Sequence, residues 1–449
     1  MLYHSQPFML LFFPITYFLT TYLEDAKKRM AFLIFVSLIF YGWWDYRFLP
    51  FLFLTLSINW LFSIFVERRI TLVLAIVFNV GMLGYYKYTA FIFNLFHWSA
   101  PEGVSSLVAP LAISFVTFEQ ISYLVDLHRK QSKRYPLIEY IFYITFFPKL
   151  VAGPIVRHYE ILTKPIFRVF SMEDVGRGLT LFCLGLLKKV VIAQGLGDIV
   201  DPIFASNLVH LSMKDAWAGM LAFSGQLYFD FSGYSDMAIG IALTLGVKLP
   251  FNFNTPYGAA SIQDFWRRWH MTLSRFLRDY VYISLGGSRK GLWRQILATN
   301  VTMVLGGLWH GANLTFVVWG AIHGLCLTVN QLFNKSGLTL PKGLGKVLTL
   351  SVVMLAWVFF RCQSIHDAFH YCSSLFHFNG SELAMVKSKQ FLLILLALAI
   401  AIFGPTSQGL VFEKLQPKRL LAMGLGTAYF IFILLIGDGQ QKEFIYFQF

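Results

Sequence analysis

Long apolar runs alternate along this chain with short polar connections that are mostly basic, and many of the runs are long enough to cross a bilayer. A spanning helix needs about 20 predominantly apolar residues. Windows at 8–23, 30–44, 49–66, 70–86, 106–127, 178–197, 215–245, 347–361, 390–405 and 419–437 have that character, and 295–330 is long enough for two passes. The pattern predicts about 10 to 12 spanning helices. The first run, Phe8 to Tyr22, lacks a basic flank and an A-x-A cleavage site, so it reads as a retained span and not as a signal peptide.

The polar connections set the expected orientation, because Lys and Arg are retained on the cytoplasmic side. EDAKKR (24–29), ERR (67–69) and HRKQSKR (128–134) fall on one side if the spans alternate, whereas HWSAPEGV (97–104) carries no Lys or Arg. The N-terminus is therefore expected outside. The run YIFYITFFPKLVAGPIVR (140–157) contains Pro148, Gly153 and Pro154, and a full crossing there would carry Arg157, Lys164, Arg168 and Arg177 outside. A re-entrant or broken helix fits better, since irregular backbone at depth is tolerated where protein covers it. The segment 246–294 carries Lys248, Arg267, Arg268, Arg275, Arg278, Arg289, Lys290 and Arg294, and is expected to face the cytoplasm. Two passes within 295–330 would keep Lys335, Lys342, Lys346, Lys414, Lys418 and Arg419 inside and the C-terminus outside; one pass would reverse this, and two is the preferred reading. No internal repeat, low-complexity tract or linker interrupts residues 1–449, which read as a single membrane-embedded domain.

Composition agrees with the pattern. The 449 residues are 57% hydrophobic and 18% aromatic, and only 13% are charged, against about a quarter in a soluble domain. The net charge of +14 is spread between the apolar segments and forms no separate basic domain, so it reads as topology signals and lipid contacts, with no nucleic-acid partner expected. Cys183, Cys326, Cys362 and Cys372 are scattered without C-x-x-C spacing, and neither a zinc site nor a disulfide framework is expected. P-loop, G-x-G-x-x-G, H-E-x-x-H and G-x-S-x-G patterns are absent from the sequence, which leaves ATP-driven transport by this chain and serine-hydrolase chemistry without support.

Three blocks carry candidate chemistry. In SIQDFWRRWHMTLSRFLRDYVYISLGGSRKG (261–291), Ser261 and Asp264 have the form of a capped helix start, and Gly286-Gly287 ends the helical pattern. A continuous helix there would put Trp266, His270, Leu273 and Ser274 on one face and Arg268, Arg275 and Arg278 on another. Such a helix can lie along the cytoplasmic interface with its cationic face towards headgroups or an anionic ligand, or serve as an amphipathic element with no ligand. His270, on the apolar face, is expected to be buried; a lone buried His is more often structural than catalytic. In QLYFDFSGYSDMAIG (226–240), Asp230 and Asp236 interrupt an apolar span, where carboxylates must be paired, hydrogen-bonded or protonated. Helix-to-helix bonding is the favoured reading for both. In GGLWHGANLTF (306–316), His310 stands among glycines beside Trp309 and Asn313, with His323 thirteen residues on. A desolvated neutral imidazole can take a proton from a hydroxyl group, and a helix-packing kink with a structural His is the competing reading.

These blocks resemble the membrane-bound O-acyltransferase family, and within it the bacterial polysaccharide O-acetyltransferases of the alginate acetylation type. FFPKLVAGPIVR, GLLKKVVIA (185–193), YFDFSGYSDMAIG, the run from FNFNTPY (251–257) through DFWRRWHMTLSRFLRDYVYISLGGSRKG, and GGLWHGANLTFVVWGAIHG (306–324) match in order, as do YGWWDYRFL (41–49) and the terminal FIYFQF (444–449). The resemblance implies an all-α polytopic membrane enzyme of the bacterial cytoplasmic (inner) membrane, with interfacial and re-entrant helices and a buried centre reached from both sides. His310 matches the family's invariant histidine regarded as catalytic, and His270 the second histidine of the W-R-R-W-H block. In PLAISFVTFEQISYLVDLHR (110–129) the chain departs from the pattern: Val116 and Glu119 stand where Tyr and Gln are expected, which adds an ionisable group.

The implied reaction takes an acetyl group from a cytoplasmic thioester, with acetyl-CoA as donor substrate and no bound cofactor. Arg267, Arg268, Arg275 and Arg278 would dock the donor, and His310 would act as general base or carry the acyl group. His270 would polarise the carbonyl, orient the donor or hold the tunnel open. Asp230, Asp236, Trp309 and Asn313 are candidate polar lining, with no metal. The implied partners are the lipid bilayer, an extracytoplasmic acetyltransferase and a polysaccharide acceptor. The alternatives are a D-alanyl transferase of the teichoic-acid type, and a non-enzymatic polysaccharide or acyl-carrier transporter in which Asp230, Asp236, Glu119 and the histidines form a relay.

Overall fold

A chain in hydrocarbon must satisfy its backbone N–H and C=O groups internally, which leaves the helix as the local solution for runs of this kind. In the computed structural model each predicted window up to 390–405 is occupied by helix, and the described residues contain no strand. Those residues are 1–99, 101, 103, 104, 107–151, 153–162, 165–167, 171–377, 385–415, 424, 426, 427 and 429. The predicted span 419–437 apart from those four residues, the terminal 444–449, and Lys164, Arg168, Lys418 and Arg419 lie outside them. Among the described residues five helices have the length and apolarity to cross a membrane: Ala26–Phe65, Arg69–Leu95, Met172–Ala205, Leu314–Lys335 and Lys342–Arg361. Phe8–Tyr22 and Ser388–Phe403 are shorter apolar helices. The fold is all-α and polytopic.

Local chemistry explains several boundaries. Asp25 caps the helix Ala26–Asp45 by accepting from Lys28 N at 2.8 Å. Asp45 then turns extended, at φ −158°, and accepts from Arg47 N, so the continuous run Ala26–Phe65 is interrupted there into Ala26–Asp45 and Leu49–Phe65, which fill the predicted windows at 30–44 and 49–66. The window 106–127 is shorter than expected. Its helix is Ile113–His128, because Pro110 and the left-handed Ala112 (φ 62°) keep the preceding residues out of it. The 140–157 run is broken, as its Pro and Gly content predicts: a helix Leu137–Thr145, a four-residue helix Phe147–Leu150 with Pro148 in its first turn, then chain without regular structure at 154–157.

The chain divides into two compact units. The first comprises Met1–Leu184, Ser235–Phe251 and Val411–Gln441. Several of its buried polar groups meet one another. Asn79 Nδ2 donates to Asn59 Oδ1 and Asn59 Nδ2 to Gln120 Oε1, each at 2.6 Å. His158 Nε2 lies 3.1 Å from Asp126 Oδ2. Glu119, the ionisable departure noted above, is ion-paired with Lys149 of the FFPKLVAG run, so the added carboxylate meets a buried ammonium. The outward faces of its helices carry large exposed apolar side chains such as Leu11, Phe18, Phe35, Leu54 and Val77, as a surface solvated by lipid requires.

The second unit comprises Gly185–Tyr234, Asn252–Leu410 and Lys442–Phe449. The helix Met213–Thr244, 32 residues and about 48 Å long, contributes its first two-thirds to this unit and the rest to the first. From Ala222 to Val247 nearly every residue is buried, which is why this helix can carry Ser, Tyr and Asp without being a lipid-facing span. Two of its glycines permit backbone contact within the two units. A Cβ on Gly233 would lie 2.6 Å from Gly185 O in the second unit, and one on Gly240 would lie 2.4 Å from Gly178 O in the first. Beside the Gly233 contact Lys189 and Asp230 form a buried ion pair, which unites the KKVVIA and YFDFSG blocks and gives Asp230 a helix-to-helix partner.

Removing one partner of a buried pair strands a charge, whereas replacing both with apolar groups of similar volume is far milder. Asp230→Ala should lower the stability of the detergent-purified protein by about 3 kcal/mol or more, and Lys189→Met with Asp230→Leu should lie much closer to wild type. Denaturant or thermal melts of the three proteins check this; equal loss in the single and double variants would refute it.

Candidate active site

The centre of the second unit is a helical hairpin. Leu292–His310 and Leu314–Lys335 are joined by the three residues 311–313, so the 295–330 window holds the two helices preferred for it. The connection is short because Asn313 caps the second helix, accepting from Thr315 N at 3.0 Å, while its Nδ2 donates to Gln363 O at 2.7 Å. Asn313 is thus a cap and a strut. The helices pack without room for a side chain at the seam: a Cβ on Gly307 would lie 2.2 Å from Phe316 O, and one on Gly320 would lie 2.4 Å from Met303 O. Asn300 Nδ2 bonds Thr328 Oγ1 and Gln331 Nε2 bonds Thr299 Oγ1, both at 2.9 Å, further along the same seam.

His310 is the last residue of the first helix and is buried at the turn. Its ring lies among Trp309, Phe360 and Trp319, with centroids 5.0, 5.2 and 5.3 Å away. The His270 ring is 6.4 Å from it, so two histidines forty residues apart in sequence share one buried aromatic cluster. His270 also packs edge-on against Phe231, at 4.7 Å, and 6.1 Å from Trp309.

The element carrying His270 differs from the continuous amphipathic helix expected over 261–285. Ser261 caps the start as predicted, accepting from Asp264 N at 3.1 Å, but the helix Ile262–Arg268 stops there. Trp269 is extended, His270 is left-handed (φ 41°), and a new helix begins at Met271. The break is held by the preceding linker: Asn254 N donates to Arg268 O and Met271 N to Asn252 O, each at 2.9 Å. Asn252 Oδ1 receives His270 Nδ1 at 3.1 Å, Thr272 N at 3.2 Å and Thr272 Oγ1 at 2.9 Å. The kink turns His270 fully inward, and the single cationic face predicted for Arg268, Arg275 and Arg278 does not form as one helical stripe.

Of the predicted donor-binding arginines, Arg268 pairs with Asp264 at 2.9 Å and the exposed Arg278 with Asp279 at 2.7 Å. Arg267 is exposed and Arg275 half-buried. Asp230 is in the second unit, paired with Lys189; Asp236, six residues on, is buried in the first. Among the described residues no group of three or more His, Cys, Asp or Glu is placed to hold a metal ion.

Sequence reasoning gave His323, Trp319, Trp266 and Asn252 no place among the catalytic or lining residues of this cluster. His323, one turn beyond Trp319 on the same helix, is fully buried, and Trp266 Nε1 donates to its Nδ1 at 3.3 Å. Its ring lies 4.8 Å from that of Trp319, which lies against His310. Asn252 was hidden in a linker. The available signals were the i, i+4 spacing of Trp319 and His323 and an Asn in non-helical chain just ahead of a His-bearing block.

Helices with exposed apolar faces, and a buried cluster in the second unit where two histidines lie near aromatic rings, define a polytopic membrane protein with a buried polar centre. The sequence matches the membrane-bound O-acyltransferase family over residues 63–366. It is 36% identical over 438 residues to a peptidoglycan O-acetyltransferase of Helicobacter pylori, covering 87% of this chain and 82% of that one. It is 34% identical over 495 residues to a probable alginate O-acetylase of Pseudomonas putida, covering 100% of both. A teichoic acid D-alanyltransferase of Bacillus subtilis is 28% identical over 284 residues, covering 58% and 71%. The chain belongs to the membrane-bound O-acyltransferase family; it is a multi-pass acyltransferase of the bacterial inner membrane.

Burial pushes the His270 imidazole, which lies between spans, down to about 3 from its ordinary 6.5. Between those values the unfolded chain binds a proton that the folded chain does not, so stability falls as pH drops from about 6.5 towards 3. Thermal melts of purified protein across that window should show the slope, and His270→Gln should flatten it. An unchanged slope in the variant would contradict the assignment.

Proposed function

We propose that this acyltransferase moves an acetyl group from a cytoplasmic thioester, acetyl-CoA, towards an extracytoplasmic polysaccharide by way of a partner acetyltransferase, with residues 1–449 working as one domain. The observation that carries the reading is the burial of His310 beside His270 in one aromatic cluster, in a chain whose relatives over most of its length are O-acetyltransferases. The D-alanyltransferase relatives match a smaller share at lower identity, which favours acetyl over D-alanyl. A pure transporter would have no use for the acyltransferase family's matched residues.

In this reading a serine-like or sugar hydroxyl attacks the thioester carbonyl while His310 takes the hydroxyl proton. The C–S bond breaks, the thiolate of CoA leaves and is reprotonated, and an acetyl ester and free CoA thiol result. A dry aromatic surround suits a neutral base, because an uncompensated charge is costly there. Arg267, Arg268, Arg275 and Arg278 supply the positive field for CoA phosphates; the pairing of Arg268 and Arg278 with Asp264 and Asp279 is exchangeable, since partly exposed pairs are worth about 1 kcal/mol or less.

Losing a general base costs about a hundred- to ten-thousand-fold in rate. His310→Ala, inserted in membranes at wild-type level, should lose labelled acetyl transfer from acetyl-CoA by at least the lower of these factors. Transfer at the wild-type rate by a well-folded variant would sink the proposal.

A further inference from the structure

His270 is held by an atom whose chemistry is unambiguous. The side-chain atom of Asn252 nearest to it also receives the backbone N–H of Thr272, so it is the amide oxygen, which only accepts hydrogen bonds. The Nδ1 of His270, 3.1 Å from that oxygen, must therefore carry the proton. In a neutral ring the other nitrogen is then bare. His270 Nε2 is fully buried and has no hydrogen-bond partner among the described residues. The ring cannot readily turn over, because Phe231 stands edge-on against it and the left-handed backbone at His270 is tied to Asn252 through the Met271 N–H.

We propose that Asn252 is a positioning residue: its side-chain oxygen locks His270 as the Nδ1–H tautomer and leaves Nε2 a bare acceptor beside His310. This deepens the acetyl-transfer reading and rests on it for its mechanistic meaning. It removes one role for His270, since a neutral ring in that state has no proton on Nε2 to donate to a thioester carbonyl. It assigns another. When His310 takes the hydroxyl proton it becomes an imidazolium, and its second N–H calls for an acceptor. His270 Nε2 is that acceptor, as a buried carboxylate is for the histidine of a hydrolase triad, but without a second charge. The centroid separation of 6.4 Å exceeds that of two directly bonded rings, so the contact forms through one bridging water or a small closure on substrate binding. Thr272, which gives its N–H and hydroxyl to the same oxygen, keeps the amide from rotating.

The test has one arm that needs no reaction. In detergent-purified wild type labelled with 15N-histidine, the His270 ring, identified by its disappearance in His270→Gln, should show a protonated Nδ1 and a bare Nε2; the opposite pattern overturns the proposal. In the second arm, Asn252→Ala should lower kcat about tenfold or more with KM for acetyl-CoA within about twofold, and the His270 signals should move towards a mixture of tautomers. Asn252→Asp keeps an acceptor oxygen, and should restore the Nδ1–H signal and part of kcat, with the acid limb of the pH profile displaced. Wild-type kcat and an unmoved His270 signal in Asn252→Ala overturn the proposal. If Asn252→Ala does not fold, Thr272→Val loosens the same oxygen and is read in the same two ways. Should wild type show the stated tautomer but transfer no acetyl group, and His310→Ala change nothing, the acetyl-transfer reading fails and the tautomer assignment stands.

Discussion

Two backbones in contact set the geometry of the second unit. With Gly307 against the carbonyl of Phe316 and Gly320 against that of Met303, the helices on either side of residues 311–313 approach more closely than side chains normally allow. The approach delivers His310 to the turn with Trp319 facing it, and it places His323 one turn further along the same seam. It also excludes water from between the helices, so polar atoms there must find one another, as Asn300 with Thr328 and Gln331 with Thr299 do. The indole rings of Trp319 and Trp357, 5.5 Å apart and nearly parallel, then fill the space towards the helix Lys342–Arg361. Charging a titratable ring in such a place is costly.

The second determinant is a linker and not a helix. FNFN has no regular structure, yet Asn252 closes the kink that a helix-period reading of the next block would smooth over. Spacing alone put His270 on an apolar face with Trp266; the chain instead interrupts that face at Trp269 and His270 and uses the interruption to turn the histidine inward. Hydrogen bonds from residues about eighteen positions away outweigh the local preference for continued helix.

The helices themselves were largely legible, because uninterrupted apolar stretches leave few other solutions in a bilayer. The hairpin at 295–330, the break around Pro148 and the Ser261 cap all follow from residue types that act locally. What stayed hidden depends on pairing across the chain. Asp230 announces that it needs a partner, but nothing in its neighbourhood says that Lys189 supplies it. Glu119 and Lys149 are thirty residues apart, and the four cationic side chains at 267–278 looked equivalent although two already have carboxylate neighbours. His310 was singled out by the cost of placing it in apolar sequence, with Trp309 as its neighbour, whereas His323 was noted only by its spacing because the indole that binds it, Trp266, belongs to another block.

The division of the chain bears on how it is made. Neither unit is contiguous: the first needs Ser235–Phe251 and the second begins at Gly185, so the helices Met172–Ala205 and Met213–Thr244 are shared between them. Synthesis from the N-terminus therefore cannot add Ser235–Phe251 to the first unit before the segment Gly185–Tyr234 of the second has emerged, and cannot complete that unit before Val411–Gln441 has followed. Until Ser235–Phe251 arrives, the face of the first unit that will receive Gly240 against Gly178 has no partner. An assembling chain has to hold early helices uncommitted, and a ribosome that stalls between Gly185 and Tyr234 leaves a membrane-bound fragment with an open apolar seam, the kind of surface that quality-control proteases and wrong neighbours recognise.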